Sequence, residues 1–415
     1  MNEQLLKYNL NNIESNFQNL YGEITKAQIE RYEKLFTRFK SSYGVDCAYF
    51  ASSSGRVEVC GNHTDHNGGR VVSCAISLDT VAAFLPNMTN IITVKSEGYD
   101  DIVIDLTTNG DEKIGTSAAL VRGVAVGLLN RGYKVGGFDA CFTSNVLGGA
   151  GISSSASFEL LVAEILNFLY NDGKVNQEEK AKIAQFSENV YFGKPCGLLD
   201  QTAISFGGLK RLDFVDPEKI CVKEIQNSLP NHTLVLINTG GSHADLTDEY
   251  AAVPREMFDV AKVFGVKRLI DITQEEFFSS MPDLYNKVSD RALMRAIHFY
   301  QENERVDCVF NCLNKNDYAT FLEMINQSGI SSLYKLQNCF VPGRKEQPIP
   351  KALSVVKTFI SDGACRVHGG GFAGSILVIV SNNELGEFVE KANSIFGKDC
   401  VVPLKVRSVG ATILK

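Results

Sequence analysis

Apolar side chains recur at helical spacing at Ile29, Tyr32, Leu35, Phe36 and Phe39, and Thr25-x-x-Gln28 ahead of them has the form of a capping box. A helix is therefore predicted that stops at Gly44. From there to about residue 106 the period changes: VVSCAISLD, IITVK and DIVIDL are β-branched runs punctuated by Gly, Asn and Asp, which read as strands. A helix follows over 116–131, ended by Gly132, and then the strand FDACFTS. The segment LGGAGISSSAS leads into a long apolar helix reaching Tyr170, and Asn176-x-x-Glu179 opens another that Gly193 closes. A loop-and-strand region over 205–232 holds GGLKRLDF and precedes HTLVLINTG. In the remainder a second glycine cluster at 369–374 runs into SILVIV. A helix then carries Leu385, Phe388, Val389, Ala392, Ile395 and Phe396, before VVPLKV and ATIL. No repeat or Pro/Gly-rich linker breaks the pattern. Helix–strand alternation interrupted by strand pairs predicts two closely packed α+β domains, 1–215 and 216–415, with a soft boundary near 205–230.

Composition narrows the class. The 415 residues are 44% apolar and 21% charged, which is globular and excludes disordered and collagen-like chains. The formal net charge of −7 argues against non-specific binding to nucleic acid or to an anionic membrane surface. Nothing approaches the ~18 uninterrupted apolar residues of a membrane-spanning helix. The opening MNEQLLKYNLNNIESNFQ has charges and amides where a signal peptide needs an apolar core, so a cytoplasmic location is expected. Eleven Cys is an odd count, and residues such as Cys74 and Cys141 sit inside apolar runs, as buried reduced thiols do. Cys308 and Cys312 are one helical turn apart, but no second Cys/His pair lies nearby to complete a zinc site.

Four segments have compositions that packing does not explain. GRVEVCGNHTDHNGG, 55–69, crowds Arg56, Glu58, Asn62, His63, Asp65, His66 and Asn67 between glycines. It reads as a polar turn, as a metal site on His63, Asp65 and His66, or as a polyol site, and the last is preferred. Short side chains that donate and accept in fixed directions suit sugar hydroxyls, and Arg supplies charge near a reacting group. In LGGAGISSSAS, 147–157, the glycines Gly148, Gly149 and Gly151 let backbone N–H groups approach an anion. Ser153, Ser154 and Ser155 supply hydroxyls there, and the helix behind carries a partial positive charge at its N-terminus. This is a phosphate cradle without the Lys of a P-loop; the alternative is a loop capped by Ser153 or Ser154. RVHGGGFAGS, 366–375, formally matches a dinucleotide fingerprint but precedes a strand instead of opening a helix, so Gly369, Gly370 and Gly371 read as a turn beside a site. Asp200, in GKPCGLLDQ, taken alone reads as a helix cap or salt-bridge partner more readily than as a base.

In this order the segments resemble galactokinase and the wider GHMP family of small-molecule kinases. Residues 55–69 resemble the signature GRVNLIGEHTDYNGG, 147–157 the phosphate loop P-x-G-x-G-L-S-S-S-A, CGLLDQ the segment CGIMDQ, and RVHGGGFAGS the motif RMTGGGFGG. INTGGSHADLTDEYAAVPREM is similar to a segment ending S-x-Y-x-x-R-R, and the likeness runs co-linearly from about residue 45 to the end. The resemblance implies a two-domain α+β GHMP kinase fold, with an N-terminal domain of the ribosomal-protein-S5 type and a ferredoxin-like C-terminal domain. It implies ATP and Mg²⁺ as cofactors and a sugar as substrate, no nucleic acid or membrane partner, and a monomer or weak dimer. Carried over, Asp200 is the catalytic carboxylate and Arg56 its cationic neighbour; Ser155, or alternatively Ser154, and Glu188 hold Mg²⁺; Asn62, His63, Asp65 and Tyr250 touch the sugar; and the serine loop holds the ATP phosphates. The expected reaction converts galactose and ATP to galactose 1-phosphate and ADP.

Two departures bear on the substrate. Asn62 stands where the family has the Glu that contacts the sugar's 6-hydroxyl, and Glu58 where it has Asn. An amide at 62 tolerates a 6-carboxylate that Glu repels, with His66 as a positive partner, so a galacturonate or modified-hexose 1-kinase is the alternative. A non-catalytic sugar sensor is a third reading, opposed by the intact Ser155, Glu188 and Asp200. His368 replaces a Thr in the last motif, and a chain without Trp must wall an adenine pocket with Tyr, Phe or aliphatic side chains.

Overall fold

The structure, a computed structural model, describes residues 10–108, 110–146, 148, 151–226, 229–241 and 246–414. It opens with a helix that the apolar pattern does not predict, α1 (Leu10–Tyr21), whose Ile13, Phe17, Leu20 and Tyr21 form one buried stripe. Thr25 then accepts the Gln28 N–H while its own N–H donates to Gln28 Oε1 at 2.9 Å, so the capping box starts α2 (Lys26–Tyr43), and left-handed Gly44 ends it.

Eight strands make the first sheet. β1 (Tyr49–Cys60), β2 (Arg70–Pro86), β3 (Ile91–Ser96) and β4 (Ile102–Asp105) precede α3 (Ser117–Leu129) and β5 (Phe138–Ser144). After α4 (Ser154–Asn171), α5 (Gln177–Phe186) and α6 (Leu199–Phe206) come β6 (Leu209–Asp213) and β7 (Cys221–Glu224). The second sheet uses β8 (His232–Asn238), β9 (Gly363–Val367), β10 (Ser375–Ser381) and β11 (Val401–Leu404). Between β8 and β9 lie α7 (Thr247–Val263), α8 (Gln274–Ser279), α9 (Met281–Leu284), α10 (Asp290–Lys315), α11 (Tyr318–Ser331) and α12 (Pro348–Val356). α13 (Leu385–Phe396) separates β10 from β11, and β12 (Thr412–Leu414) closes the chain.

The first sheet runs β12-β1-β2-β5-β3-β4, with β6 on the end of β2 and β7 beyond it; only β3 and β5 pair in parallel. The second is antiparallel throughout, β11-β8-β10-β9. β12 returns to pair with β1, Ala51 opposite Ile413, so the first sheet draws strands from both sides of residue 215. β7 likewise lies beyond that residue and extends the β6 hairpin.

The halves share buried surface. Val57 and Val59 of β1 and Val72 and Cys74 of β2 pack in one cluster with Val306 and Val309 of α10, Phe321 and Ile325 of α11 and Leu377 and Ile379 of β10. A second cluster joins the first sheet to α3, α4 and α5 through Val94, Phe138, Val121, Leu161 and Ile183. Ion pairs add to the seam: Asp307 of α10 accepts from Arg70 at 2.8 Å and from Arg211 at 2.7 Å. All eleven cysteines are free thiols, and among the described residues no helix is long and apolar enough to cross a membrane.

Candidate active site

Strand alternation turns Val57 and Val59 of β1 into the shared core and leaves Arg56 and Glu58 on the opposite face. Arg56 grips Asp200, which lies in the first turn of α6: Nε is 2.9 Å and Nη2 2.7 Å from Oδ1. Its Nη1 donates to the Gly151 carbonyl, which ties the pair to the serine loop. Ser153 donates its hydroxyl to the other oxygen of Asp200. The Ser153 backbone lies in the left-handed region at φ 64°, and its side chain makes no capping bond to α4. A non-glycine residue held there costs energy, and the tie to Asp200 gives that conformation a use. The alternative of Ser153 as an ordinary N-cap is therefore corrected. Asp200 keeps a third of its side chain exposed beside a nearly buried Arg56, so one edge of the carboxylate stays reachable.

Left-handed backbone recurs at two more non-glycine residues of the site, His63 at φ 58° and Phe372 at φ 55°. His63 Nε2 lies 3.0 Å from the Gly370 carbonyl, and Tyr250 of α7 donates to the Gly371 carbonyl at 2.7 Å. Only glycine fits at 370, because a Cβ there would stand 2.6 Å from the Tyr250 ring. Asp65 accepts the Leu199 N–H at 3.3 Å, next to Asp200, and a side chain at Gly197 would collide with its carboxylate. Burial, and then the charge of Asp200, push the Asp65 carboxyl up to about 6. Burial lowers His63 to about 4 and His66 to about 3, so both rings are neutral at pH 7 and His66 is not the positive partner considered from sequence.

Asn62 does not face open space. It is fully buried, and both hydrogens of its amide are engaged, to Glu58 Oε1 at 2.9 Å and to the Gly369 carbonyl at 2.8 Å. Its Oδ1 accepts from Asn338 at 2.8 Å and Ser332 at 3.2 Å. α10 holds the same turn from the other half. His298 Nε2 is 2.9 Å from the Asn62 carbonyl, and Glu302 Oε1 accepts the Gly61 N–H at 3.0 Å. Glu58 in turn accepts from Arg366 of β9 at 2.9 Å, and its N–H donates to His368 Nε2 at 3.2 Å.

Behind the serine loop, Ser155 donates to Glu188 at 3.0 Å. Glu188 also accepts from Lys194 at 3.2 Å and from Gln201 at 2.9 Å. It sits in a π-helical turn, Ser187–Phe192, that extends α5 to left-handed Gly193. Single π turns inside helices frequently mark functional positions. Glu159 is fully buried in this region; burial first, then the Glu188 charge, push its carboxyl well above the ordinary range.

The structure thus brings Arg56, Asp200, Gly151 and Ser153 to one point, with His63, Asp65, Tyr250 and the glycines 369–371 on one flank and Ser155 and Glu188 on the other. Ser154 opens α4 half-buried, Gly148 lies in an exposed turn, and Gly149 lies outside the described residues. The sequence pattern gives no part to Gln201, Lys194, Arg366, His298, Glu302 or Asn338. Arg366 alone carried a local signal, a cation entering a glycine cluster; the others are ordinary residues on helices and loops until the chain folds.

A galactokinase galactose-binding signature matches residues 37–86, and the GHMP kinases N terminal domain matches 116–208. The galactokinase of Clostridium tetani is 29% identical over 370 residues, covering 88% of this chain and 92% of that one. The galactokinase of Clostridium perfringens strain SM101 is 28% identical over 376 residues, covering 88% and 94%. Among solved structures, Lactococcus lactis galactokinase complexed with galactose superposes with a TM-score of 0.81 at 23% identity, covering 92% of this chain and 99% of that one. The mevalonate kinase of Methanococcus jannaschii shares the fold at a TM-score of 0.61 and 15% identity, covering 86% and 98%. These likenesses fall on the segments that carry Arg56, the serine loop and Asp200, and in them the chain is similar to galactokinases and other GHMP kinases.

Proposed function

We propose that this protein is a galactokinase, transferring the γ-phosphoryl group of ATP to the anomeric hydroxyl of galactose. One observation carries the reading: Ser153, at the tip of the phosphate-type loop, donates to the same Asp200 carboxylate that Arg56 holds. An acceptor-side carboxylate and a phosphate-side loop therefore meet at a single point, as phosphoryl transfer requires. Asp200 would take the proton of the attacking hydroxyl, or orient that hydroxyl, with the partial positive charge at the start of α4 facing the phosphates. His63, Asp65 and Tyr250 would line the sugar.

The donor set at Ser155 and Glu188 fits Mg²⁺. It offers one hydroxyl and one carboxylate, hard oxygens within 3.0 Å of each other, and among the described residues no group of three or more His, Cys, Asp or Glu competes as a denser metal cage. Mg²⁺ with ATP commonly takes few protein ligands and completes its shell with phosphates and water. When bound it would neutralise charge on the phosphates. Eleven free thiols support a cytoplasmic setting.

The test is ADP release with ATP and Mg²⁺ across a hexose panel, with the product identified by phosphorus NMR. Galactose-dependent ADP release giving an anomeric phosphate is the expected result. Absence of turnover with galactose and every other neutral hexose overturns the reading.

A further inference from the structure

Asn62 has no donor or acceptor left for a ligand, because each amide hydrogen has a protein partner and Oδ1 has two. Glu58, four residues earlier, differs. It is 3% exposed, yet both of its hydrogen bonds, from Asn62 and from Arg366, fall on one oxygen, Oε1. Among the described residues Oε2 has no hydrogen-bond partner, and it is not one of the sealed, unpartnered polar atoms. A nearly buried carboxylate therefore keeps one oxygen that no described protein group engages. It shares a strand face with Arg56, two residues away, which sets the two about 7 Å apart by strand rise, a spacing that one sugar ring can bridge.

The geometry points to Glu58, not Asn62, as the side chain that reads a hydroxyl of the sugar, and so as the residue selecting a neutral hexose over one bearing a carboxylate. The inference rests on the sugar-kinase reading above. Burial raises the Glu58 carboxyl, and the charges of Arg366 and then Arg56 oppose that rise. In its ionised form it only accepts hydrogen bonds, so its free oxygen calls for a donor, which a hydroxyl supplies and a sugar carboxylate does not. A uronate would place a second anion beside Glu58 and would need a cation of its own. The two arginines whose charges act on Glu58 each already hold a carboxylate. Arg56 holds Asp200 and Gly151, and Arg366 holds Glu58 and the Val59 carbonyl at 3.0 Å. Neutral His63 and His66 add no charge.

The experiment combines turnover with the ligand-induced shift in melting temperature, using galactose and galacturonate. On the wild-type chain, turnover of galactose and a shift with galactose alone are expected; equal shifts with both sugars overturn the inference. Glu58→Gln keeps the shape and removes the charge. KM for galactose is expected to rise about tenfold or more, with kcat changed less, as fits one lost charge-assisted hydrogen bond. Discrimination against galacturonate should narrow in the same variant. A folded Glu58→Gln protein with unchanged KM and unchanged preference overturns the role of Glu58 and leaves the kinase reading standing. Absence of turnover with every neutral hexose by the wild type overturns that reading, and this inference with it. Should Glu58→Gln not fold, Glu58→Asp retains a partner for Arg366 while withdrawing the free oxygen; a raised KM supports the role and an unchanged KM overturns it.

Discussion

Asn62 Nδ2 lies 2.9 Å from Glu58 Oε1, and that one hydrogen bond joins two of the positions at which this chain departs from the galactokinase signature. The signature has an amide at the position of Glu58 and a carboxylate at that of Asn62. The two groups have changed places within a single contact, so local charge and donor–acceptor pairing both survive.

A non-additive pair of substitutions follows from that exchange. Asn62→Glu alone sets two carboxylates against each other inside the protein and removes the donor to the Gly369 carbonyl. It is expected to destabilise the fold by about 3 kcal/mol, the scale for an uncompensated buried charge. Adding Glu58→Asn restores an amide–carboxylate pair, although Arg366 then loses its carboxylate. Denaturant melts of the wild type, both single variants and the double variant should give a coupling energy of about 1–3 kcal/mol favouring the double. Effects that add to within about 0.5 kcal/mol would show the two positions to be independent.

Asp200→Asn tests the acceptor-side carboxylate. Asn keeps the size of the side chain, but nearly buried Arg56 loses its carboxylate, so the melting temperature should fall while the protein stays folded. Turnover should fall by at least ~10²-fold, the lower end of what a positioned acid or base contributes. Steady-state kinetics beside a thermal melt separate the two effects. Near-normal turnover would remove Asp200 from the chemistry.

Most elements were legible because their signals are local. The Thr25 box, the strand FDACFTS and the helix from Leu385 to Phe396 each carry a period or cap that needs no distant partner. The pattern hides α1 because its four buried positions are diluted by amides, and the segment acquires a face only against α2 and the first sheet. Of the site, the chain order displayed Arg56, the serines and Asp200. It could not display the engagement of Asn62, since Asn338, Ser332, His298 and Glu302 reach that turn from helices and loops more than 200 residues away. A polar residue in a turn looks free until its partners arrive.

Ser153 offers a comparison in which strain and chemistry separate. Both Ser153→Ala and Ser153→Gly delete the hydroxyl that meets Asp200, so both should lose turnover to a similar extent. Only the glycine variant relieves the left-handed backbone, and it should exceed the alanine variant in stability by about 1 kcal/mol. Equal melting temperatures would mean that residue 153 relaxes out of that conformation once the hydroxyl is gone.

Asp65 gives the site a pH signature whose sign can be worked out. Its carboxyl rises from 3.8 to about 6 in the folded chain, through burial first and the Asp200 charge second. A carboxyl with a raised folded value binds its proton more tightly folded than unfolded. Its stabilising contribution is therefore complete below 3.8 and is lost as pH rises through about 6. At 1.36 kcal/mol per unit, a shift of about two units sets the loss at roughly 3 kcal/mol. Asp65→Asn has no such group, so its melting temperature relative to wild type should be more favourable at about pH 7.5 than at about pH 4.5. The buried histidines act with the opposite sign, since His63 and His298, lowered to about 4, oppose folding as pH falls. They are present in both proteins and cancel to first order in the difference. A difference that stays constant between the two pH values would mean that Asp65 does not titrate in this range, and that its carboxylate meets the sugar without the cost its burial implies.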